Sequence, residues 1–454
     1  MLLRRHDQDN LPIQPFLLAF QKGIMQNCTL LQYWLFTIIF NSREAFMNTF
    51  PIGFWNYTRT GQLGIDAVHD WKDLGMSFAM SPEFYPDIDD KKIILAMLDE
   101  CEKLGLRMLI CDARVRWHGA SSDPEGYRAR FRAAYEDFGR HPACMGFHIG
   151  DEPADERAFA DCIQANKIQL EIAPELVPFV NFLPYRDGIE KSILHTDTFE
   201  EWAESMAKNA DLKLLSYDCY TQMNPEIEGM DRYFKNLRKF SSAAAASGIP
   251  VWTTLLSVGH FRYREPNEND LRWQLSTAAA CGCKGIMWFF VYLRYPHGNY
   301  RKPPIDEFWE RTETFGWLSR VNRNFQHRFG QFFLNAELKK TWMIEKSFGG
   351  YPLLEGKVDE FIDSIESVHG LPAIVSLYER DGDKYICLVS NTPLESGLFR
   401  IHFNKKVKKV DNIEWDGLRD MKYHEGGYFE IKEDELVAGD WFCPGQMQVY
   451  RYSE

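Results

Sequence analysis

The chain has 454 residues, a length that fits one large domain followed by one modest domain. Hydrophobic residues make up 45% and charged residues 26%, which is the composition of an ordinary globular protein rather than a disordered or fibrous one. The formal net charge of -13 gives no electrostatic footprint for binding to a polyanion, so we predict no nucleic-acid partner.

Residues 1–46 form an N-terminal extension that two interpretations fit. Its apolar run, Cys28–Phe40, is shorter than the roughly eighteen residues that span a bilayer, so we predict no firm membrane association. The run has the length of a signal-peptide core, but no small-residue cleavage site follows it. Either Met47 is the native start, or the run is a degenerate export or anchor segment.

Residues 47–334 repeat one unit eight times: an apolar run, a polar loop and an amphipathic helical stretch. This alternation predicts an α/β fold, a (β/α)8 TIM barrel with its active site at the C-terminal ends of the strands. A doubly wound sheet is the alternative, but aromatic residues replace the glycine-rich turn after the first run. The predicted strands are Phe50–Trp55, Met76–Met80, Arg107–Cys111, Met145–Ile149, Val177–Leu183, Leu212–Tyr217, Val251–Ser257 and Gly285–Val291.

Residues 335–454 change to short alternating runs separated by turn signals, which predicts a small antiparallel β-sandwich. The turn Arg380-Asp381-Gly382-Asp383 separates two of these runs, Ala373–Tyr378 and Tyr385–Ser390. We therefore expect three parts: the extension over 1–46, the catalytic barrel over 47–334 and an accessory sandwich over 335–454.

The ten cysteines include no CxxC pair, so neither a zinc site nor a disulfide framework is indicated. Cys111, Cys219 and Cys283 lie in apolar runs that suit buried free thiols in a reducing compartment. We accordingly predict a cytoplasmic protein with no cofactor and no bound metal.

The fourth predicted strand ends in Gly150-Asp151-Glu152-Pro153, which places two adjacent carboxylates at the mouth of the barrel. Acidic residues before a proline often only begin a helix, but strand ends are where barrel enzymes carry their chemistry. The sixth strand ends in Tyr217-Asp218-Cys219-Tyr220, with another carboxylate leaving an apolar run. Two carboxylates across an aromatic cleft are what cleavage of a glycosidic bond requires. We expect Glu152 and Asp218 to be that pair.

Further polar and aromatic residues at or near strand ends are candidates to bind substrate, although packing explains many aromatic residues equally well. Asp112 is followed by several basic residues, so an Asp–Arg structural pair is an alternative for it. The candidate contacts are Asp151, Trp55, Tyr57, Glu83, Asp112, Trp117, His118, Asn181, Tyr220, His260, Trp288 and Tyr292.

Over residues 50–330 the chain resembles the retaining glycoside hydrolases whose barrel carries an Asn-Glu-Pro motif after the fourth strand, the clan that includes β-galactosidase-like enzymes. A further likeness, to uncharacterised bacterial glycosidase-like proteins, rests on Asp270–Gln274 and Gly282–Phe289. The resemblance implies that Glu152 is the acid/base. It also implies that Asp151 replaces the asparagine that contacts the sugar 2-hydroxyl.

The seventh strand departs from that clan, because Val251–His260 contains no carboxylate where the resemblance implies the nucleophile. Glu265 and Glu268 follow only later and lead into the next helix. Asp218 is our choice for the second group. A carboxyl separation of roughly 5–5.5 Å would indicate retention, and roughly 6.5–9.5 Å would indicate inversion. The Tyr217-Asp218 step is also similar to chitinase-type barrels, which implies an N-acetylhexosamine substrate that supplies its own nucleophile.

Two other classes compete with a glycoside hydrolase acting on an oligosaccharide or small glycoside. A non-catalytic carbohydrate-binding barrel would account for the missing carboxylate of the seventh strand. A metal-dependent hydrolase would use His148, Asp151 and Asp218, but the chain has neither an HxH on the first strand nor an HExxH motif.

Overall fold

The computed structural model describes residues 49–225, 228–294 and 299–454, with the backbone alone at residue 228. The extension over 1–46 with its apolar run, and Met47, lie outside these residues. The described part of the chain belongs to one compact unit. It contains no helix that is both long and apolar enough to cross a membrane.

Eight parallel strands form the barrel sheet in the order β1-β8-β7-β6-β5-β4-β3-β2, which confirms the predicted fold and every predicted barrel strand. They are β1 (Ile52–Phe54), β2 (Phe78–Phe84), β3 (Arg107–Asp112), β4 (Cys144–Asp151), β5 (Val177–Phe182), β6 (Leu215–Asp218), β7 (Val251–Leu256) and β8 (Gly285–Phe289). The α-helices described with them are α1 (Asp66–Asp73), α2 (Lys91–Leu104), α3 (Pro124–Ala134), α4 (Glu156–Ile172), α5 (Phe199–Ala210), α6 (Glu228–Ala246), α7 (Glu268–Ala280), α8 (Glu313–Phe325) and α9 (Gln331–Asn335). Shorter helical turns cover Ala113–Val115, Tyr135–Gly139, Glu190–Leu194, Thr221–Met223, Gln326–Gly330 and, in the sandwich, Met421–Tyr423.

The barrel closes between β1 and β2 through hydrogen bonds that lie at and beyond the strand ends. The Ser77 amide donates to the Ile52 carbonyl at 2.8 Å, and the Glu83 amide donates to the Thr58 carbonyl at 2.8 Å. The Asn56 side chain donates to the Met80 carbonyl at 3.2 Å. The eight strands therefore surround one interior.

Alternation along each strand divides the barrel residues between that interior and the layer beneath the helices. Met287 and Phe289 of β8 pack with the interior cluster, whereas Trp288 between them packs outward with the helices. The same alternation sends Tyr217 of β6 outward, where its ring stacks on Phe240 of α6 with centroids 3.9 Å apart. Both faces are apolar because helices cover the outside of a parallel barrel.

The helices begin and end where short polar residues and glycine favour it. Asp90 caps α2 by accepting a hydrogen bond from the Lys92 amide, and Gly105 ends the same helix in the left-handed conformation at φ 68°. Asn267 and Asp270 form a reciprocal capping box at the start of α7. These ends fix the loops that connect each helix to the next strand.

Two antiparallel sheets follow the barrel, as the sequence predicts, and enclose their own hydrophobic core. One sheet has the order β10-β13-β17-β16 and the other β15-β14-β18-β12-β11-β9. The strands are β9 (Glu337–Ile344), β10 (Ile362–Ser367), β11 (Ala373–Arg380), β12 (Asp383–Ser390), β13 (Gly397–Asn404), β14 (Lys409–Glu414), β15 (Gly417–Asp420), β16 (Tyr428–Ile431), β17 (Glu435–Phe442) and β18 (Met447–Ser453).

The predicted turn at Asp381-Gly382 joins β11 to β12 as a tight hairpin. Both of its central residues have positive φ, 55° for Asp381 and 89° for Gly382, as a two-residue hairpin requires. The side chains of β11 then reach the end of α7. Tyr378 Oη donates to the Ala279 carbonyl at 2.8 Å, and Ser376 Oγ donates to the Ala280 carbonyl at 2.9 Å. The sandwich therefore packs directly on the barrel through α7.

Candidate active site

The Gly-Asp-Glu-Pro motif leaves β4 with an unusual backbone. Gly150 has φ 157°, and a Cβ at this position would stand 2.4 Å from the Trp117 indole, so only glycine fits. Glu152 has φ 48°, the left-handed region that a side chain rarely adopts. Its amide donates to the Asn181 carbonyl of β5 at 2.8 Å, which holds the strained residue in place. Strain of this kind is concentrated at functional sites.

Asn181 of β5 joins two carboxyl groups of the site. Its Nδ2 donates to Asp151 Oδ1 at 3.2 Å and to Asp218 Oδ1 at 2.8 Å. Its own carbonyl oxygen accepts from Ser216 Oγ at 3.2 Å, which fixes the orientation of the amide. The side chain of Asn181 is 3% exposed. The ends of β4, β5 and β6 thus bring three of the predicted residues together.

The Glu152 and Asp218 carboxyl groups influence each other's proton affinity. Burial raises the pKa of Glu152, and a hydrogen bond with Asp218 opposes that rise. Burial, then the charges of Glu152 and Asp151, raise the pKa of Asp218 well above its usual range. Because each carboxyl group changes the proton affinity of the other, we treat Glu152 and Asp218 as one interacting pair.

Asp151 is exposed at the end of β4, and its carboxyl group has Asn181, Glu152 and Asp218 near it. Burial, and then the neighbouring Glu152, raise the pKa of Asp151 to about 7. The hydrogen bond from Asn181 lowers it, but by less than these two effects raise it. Near neutral pH this carboxyl is therefore only partly ionised.

Aromatic rings line the cleft beside the carboxyl groups. Tyr220 lies 5.3 Å from Phe289 and 5.7 Å from His260, and Tyr57 lies 5.8 Å from Phe289, measured between ring centroids. Asp151 and Asp218 are near enough to Tyr57 to raise its pKa, after the larger effect of burial. Burial lowers the pKa of His260 to about 4, so its imidazole is neutral. Rings that the sequence did not identify complete this wall: Tyr263, Phe289 and Tyr300.

Two arginines near the site already contact other side chains. The Arg294 guanidinium lies over the Tyr57 ring at 3.9 Å. Arg116 forms an ion pair with Glu83 at 3.3 Å, and Tyr85 Oη donates to the other oxygen of Glu83. The predicted substrate contact Glu83 is therefore held in a half-buried ion pair.

His148 of β4, and Trp55 and Trp117 from the segments that follow β1 and β3, pack close to the motif. Trp55 packs edge-on against His148 with centroids 4.9 Å apart, and both side chains are buried. His148 Nε2 donates to the Gly150 carbonyl at 3.0 Å, and burial lowers the pKa of His148 to about 3. Trp117 is buried against Gly150, whereas its neighbour His118 is exposed. His148 and Trp117 therefore both contact the motif at Gly150.

Three predicted substrate contacts lie away from the cleft, and the structure corrects their placement. Asp112 is fully buried, and both of its carboxylate oxygens accept hydrogen bonds from Arg114, which is the Asp–Arg pair that the sequence also predicts. Trp288 is fully buried beneath α8, where its Nε1 donates to Asn322 at 3.0 Å. The Tyr292 hydroxyl accepts from Trp71 of α1 at 2.8 Å in the same outer layer. All three stabilise the fold.

The seventh strand supplies hydroxyl groups instead of a carboxylate. Thr254 lies beside Asp218 in the register of β6 and β7, and its buried hydroxyl has no hydrogen-bond partner in the described part of the chain. Glu265 is in an ion pair with Arg301 at 3.1 Å, and Glu268 with Arg320 at 2.6 Å. Within residues 49–225, 228–294 and 299–454, no group of three acidic, histidine or cysteine side chains is arranged to hold a metal ion.

Comparison with solved structures gives the same architecture. A family 39 glycoside hydrolase from Bacteroides cellulosilyticus aligns with 90% of this chain and 82% of its own, at 11% identity and a TM-score of 0.52. A structure described as a glycoside hydrolase aligns over 89% and 92%, at 11% identity and a TM-score of 0.53. At this identity the likeness shows the fold, a barrel followed by a sandwich.

A β-galactosidase from Marinomonas ef1 also aligns, with 60% of this chain, at 10% identity and a TM-score of 0.47. The chain spans 59% of that protein's length. No protein-family model matches the sequence, and no curated protein is similar to it. The fold is therefore that of glycoside hydrolase structures, while the site has to be argued from its own residues.

Proposed function

We propose that the chain is a glycoside hydrolase that cleaves O-glycosidic bonds, with Glu152 as general acid/base and Asp218 as the second carboxyl group. The observation that carries the proposal is the carboxyl cluster at the ends of β4 and β6, where Asn181 joins Asp218 to the Gly-Asp-Glu-Pro motif and Glu152 interacts with Asp218. Two interacting carboxyl groups whose proton affinities differ can supply an acid and a carboxylate at once, which glycosidic cleavage needs.

The reaction requires one of the two carboxyl groups to be protonated and the other to be ionised. The acid protonates the leaving glycosidic oxygen, while the carboxylate faces the oxocarbenium-like centre as nucleophile or stabiliser. Interaction between the two carboxyls favours the short spacing of retaining enzymes, roughly 5–5.5 Å, over the wider gap that leaves room for water. Asn181 holds Asp218 in place and keeps Asp151 beside it.

The aromatic wall supports a carbohydrate substrate. Sugar rings present apolar C–H faces that pack on aromatic side chains, and Tyr57, Tyr220 and His260 form such a surface next to the carboxyl pair. Asp151 and Asn181 offer hydrogen-bonding groups at its edge. We infer that a short oligosaccharide or a small glycoside occupies the cleft.

The test is hydrolysis of a panel of chromogenic aryl glycosides, including N-acetylhexosaminides, by the full chain and by Glu152→Gln. We expect turnover of at least one glycoside to fall by about 10²–10⁴-fold in the variant, the usual contribution of an acid/base catalyst. Glu156→Gln is the matched control, because Glu156 is an exposed carboxylate at the start of α4. Equal activity of Glu152→Gln and the wild type would remove Glu152 from this role.

Two further candidates rest on observations of their own. A carbohydrate-binding barrel without catalysis is favoured by β7, which carries Thr253 and Thr254 and no carboxylate. In that case no glycoside of the panel is hydrolysed, while wild type and Glu152→Gln bind glycans equally. A substrate-assisted N-acetylhexosaminidase is favoured by Asp218, because in such a mechanism the protein carboxyl group only orients the attacking N-acetyl group of the substrate. Turnover confined to N-acetylated substrates would identify it.

The cytoplasmic location remains a proposal that rests on the cysteines. The nine described cysteines are all free thiols, and eight of them are buried. Buried free thiols suit a reducing compartment.

A further inference from the structure

One large apolar side chain lies at the outer end of the aromatic wall, where the chain turns after β7. The Phe261 side chain is 66% exposed, although its neighbour His260 is buried. The two rings lie 5.0 Å apart, and the Phe261 ring lies 6.5 Å from that of Tyr300, measured between centroids. The aromatic wall of the cleft therefore continues into solvent through Phe261.

The backbone of Phe261 is strained. The Tyr263 amide donates to the His260 carbonyl at 2.9 Å, so residues 260–263 form a tight turn with Phe261 as its first central residue. Phe261 has φ 49°, the left-handed region that glycine or asparagine normally occupies in such turns. A bulky side chain in this region is an outlier that costs stability, and such outliers are concentrated at ligand-binding sites.

Hydrogen bonds to the loop after β8 hold this turn in place. The Gly259 amide donates to the Arg301 carbonyl at 2.9 Å, and the Arg301 amide donates to the Gly259 carbonyl at 2.9 Å. The Phe261 amide donates to the side-chain oxygen of Asn299. The two loops are thus bonded on both sides of His260. A hydrogen-bonded backbone, and not a free loop end, carries the exposed ring.

Successive ring contacts lead from the carboxyl pair to Phe261. Burial, and then the nearby charge of Asp218, raise the pKa of the Tyr220 hydroxyl. The Tyr220 ring lies 5.7 Å from that of His260, which in turn lies 5.0 Å from that of Phe261. A sugar unit bound at the carboxyl pair would face Tyr220. Phe261, two ring contacts further out, would then face the next unit of the same glycan.

We propose that Phe261 is a substrate-binding residue that stacks on a second sugar unit, so the substrate of this cleft is an oligosaccharide. A sugar ring packs its C–H face on an aromatic ring while its hydroxyl groups stay hydrated, which suits a phenylalanine at the edge of the cleft. Contact with the sugar would also cover the apolar surface that Phe261 exposes. The inference rests on the proposed carbohydrate function of the cleft.

The test measures binding to Glu152→Gln by isothermal titration calorimetry, so that the probes are not cleaved. The probes are cellotriose, xylotriose, galactotriose, mannotriose and triacetylchitotriose, each compared with its monosaccharide. At least one trisaccharide should bind more tightly than its monosaccharide. Adding Phe261→Ala should weaken binding of that trisaccharide by about three- to tenfold more than binding of the monosaccharide, the value of one aromatic stacking contact.

Two further variants in the same Glu152→Gln background separate stacking from a change in the turn. Phe261→Tyr keeps the ring and should retain most of the affinity for the trisaccharide. Tyr423→Ala is the matched control, because Tyr423 is a 71% exposed aromatic residue of the sandwich, and it should change neither affinity.

Either of two results would overturn the proposal. In the first, no trisaccharide binds more tightly than its monosaccharide. In the second, Phe261→Ala leaves the difference between trisaccharide and monosaccharide unchanged. The measurement requires no turnover, so it can fail while the hydrolysis test of Glu152 succeeds, and the reverse.

Discussion

Gln274 of α7 connects the helix to the end of β7, and replacing it by leucine is the most informative test of the packing. Its Oε1 accepts from the Leu256 amide and from Gln222 Nε2, both at 2.9 Å. Its Nε2 donates to the Leu256 carbonyl at 2.9 Å. The Gln274 side chain is fully buried, so water cannot replace these bonds. One amide therefore holds the strand end and the turn after β6 at the same time.

Gln274→Leu keeps the approximate volume and removes all three hydrogen bonds. It leaves the amide and carbonyl of Leu256 and the side chain of Gln222 without that partner, and each buried unsatisfied group costs about 1–3 kcal/mol. We expect a loss of roughly 3–9 kcal/mol in the free energy of unfolding, a large part of the usual total of about 5–15 kcal/mol. The substitution should also lower turnover, because Leu256 ends the strand beside Phe289 of the cleft.

Urea unfolding followed by tryptophan fluorescence measures the first effect, provided that the dependence on urea keeps its slope. Asn335→Leu is the control, because its exposed amide only donates back to Gln331 within α9. Its effect should stay within about 0.5 kcal/mol. A loss below about 1 kcal/mol for Gln274→Leu would refute the account of this amide as the connection between helix and strand.

Three other substitutions test the site and its surroundings. The native pKa of Asp151, about 7, lies above its value in the unfolded chain, so its contribution to stability falls as pH rises between about 4 and 7. The free energy of unfolding of Asp151→Asn, measured in urea relative to that of the wild type, should therefore rise on going from pH 4 to pH 8. An unchanged difference between the two proteins would contradict the raised pKa of Asp151. Trp288→Phe should lower the free energy of unfolding by about 1–3 kcal/mol in the same measurement, because Asn322 loses its buried partner. Its KM should stay unchanged, and a raised KM would show that Trp288 contacts the substrate. Gly150→Ala should lower kcat and the melting temperature together, because the added Cβ meets the Trp117 ring; wild-type kcat would show that the loop can move aside.

The sequence predicts the barrel well because strands of a parallel sheet are buried on both faces and appear as apolar runs. For the same reason it does not reveal which residues of a run face inward. Trp288 is a predicted substrate contact, but its neighbour Phe289 is the residue in the cleft. In β6 the polar residue indicates which side chains face inward, because Asp218 faces the cleft and Tyr217 faces the helices.

The carboxyl cluster is predictable in part, because acidic residues at strand ends of a barrel meet at one mouth. Asp151, Glu152 and Asp218 do come together, and their catalytic roles remain proposals. Tyr263 and Tyr300 could not be found, because they come from loops whose course is set by tertiary contacts rather than by local pattern. The signal that points to them is only their position, after the seventh and eighth strands.

The buried hydrogen bonds that Tyr378 and Ser376 donate to the end of α7 constrain how this architecture could have been assembled. A barrel taken alone would expose the Ala279 and Ala280 carbonyls together with the apolar side chains around them. Trp273 would also lose the Asn391 acceptor that it has at 2.9 Å. Recombination that exchanged the C-terminal part for another sandwich would have to restore these acceptors and donors at once. The two parts should therefore be inherited as a pair.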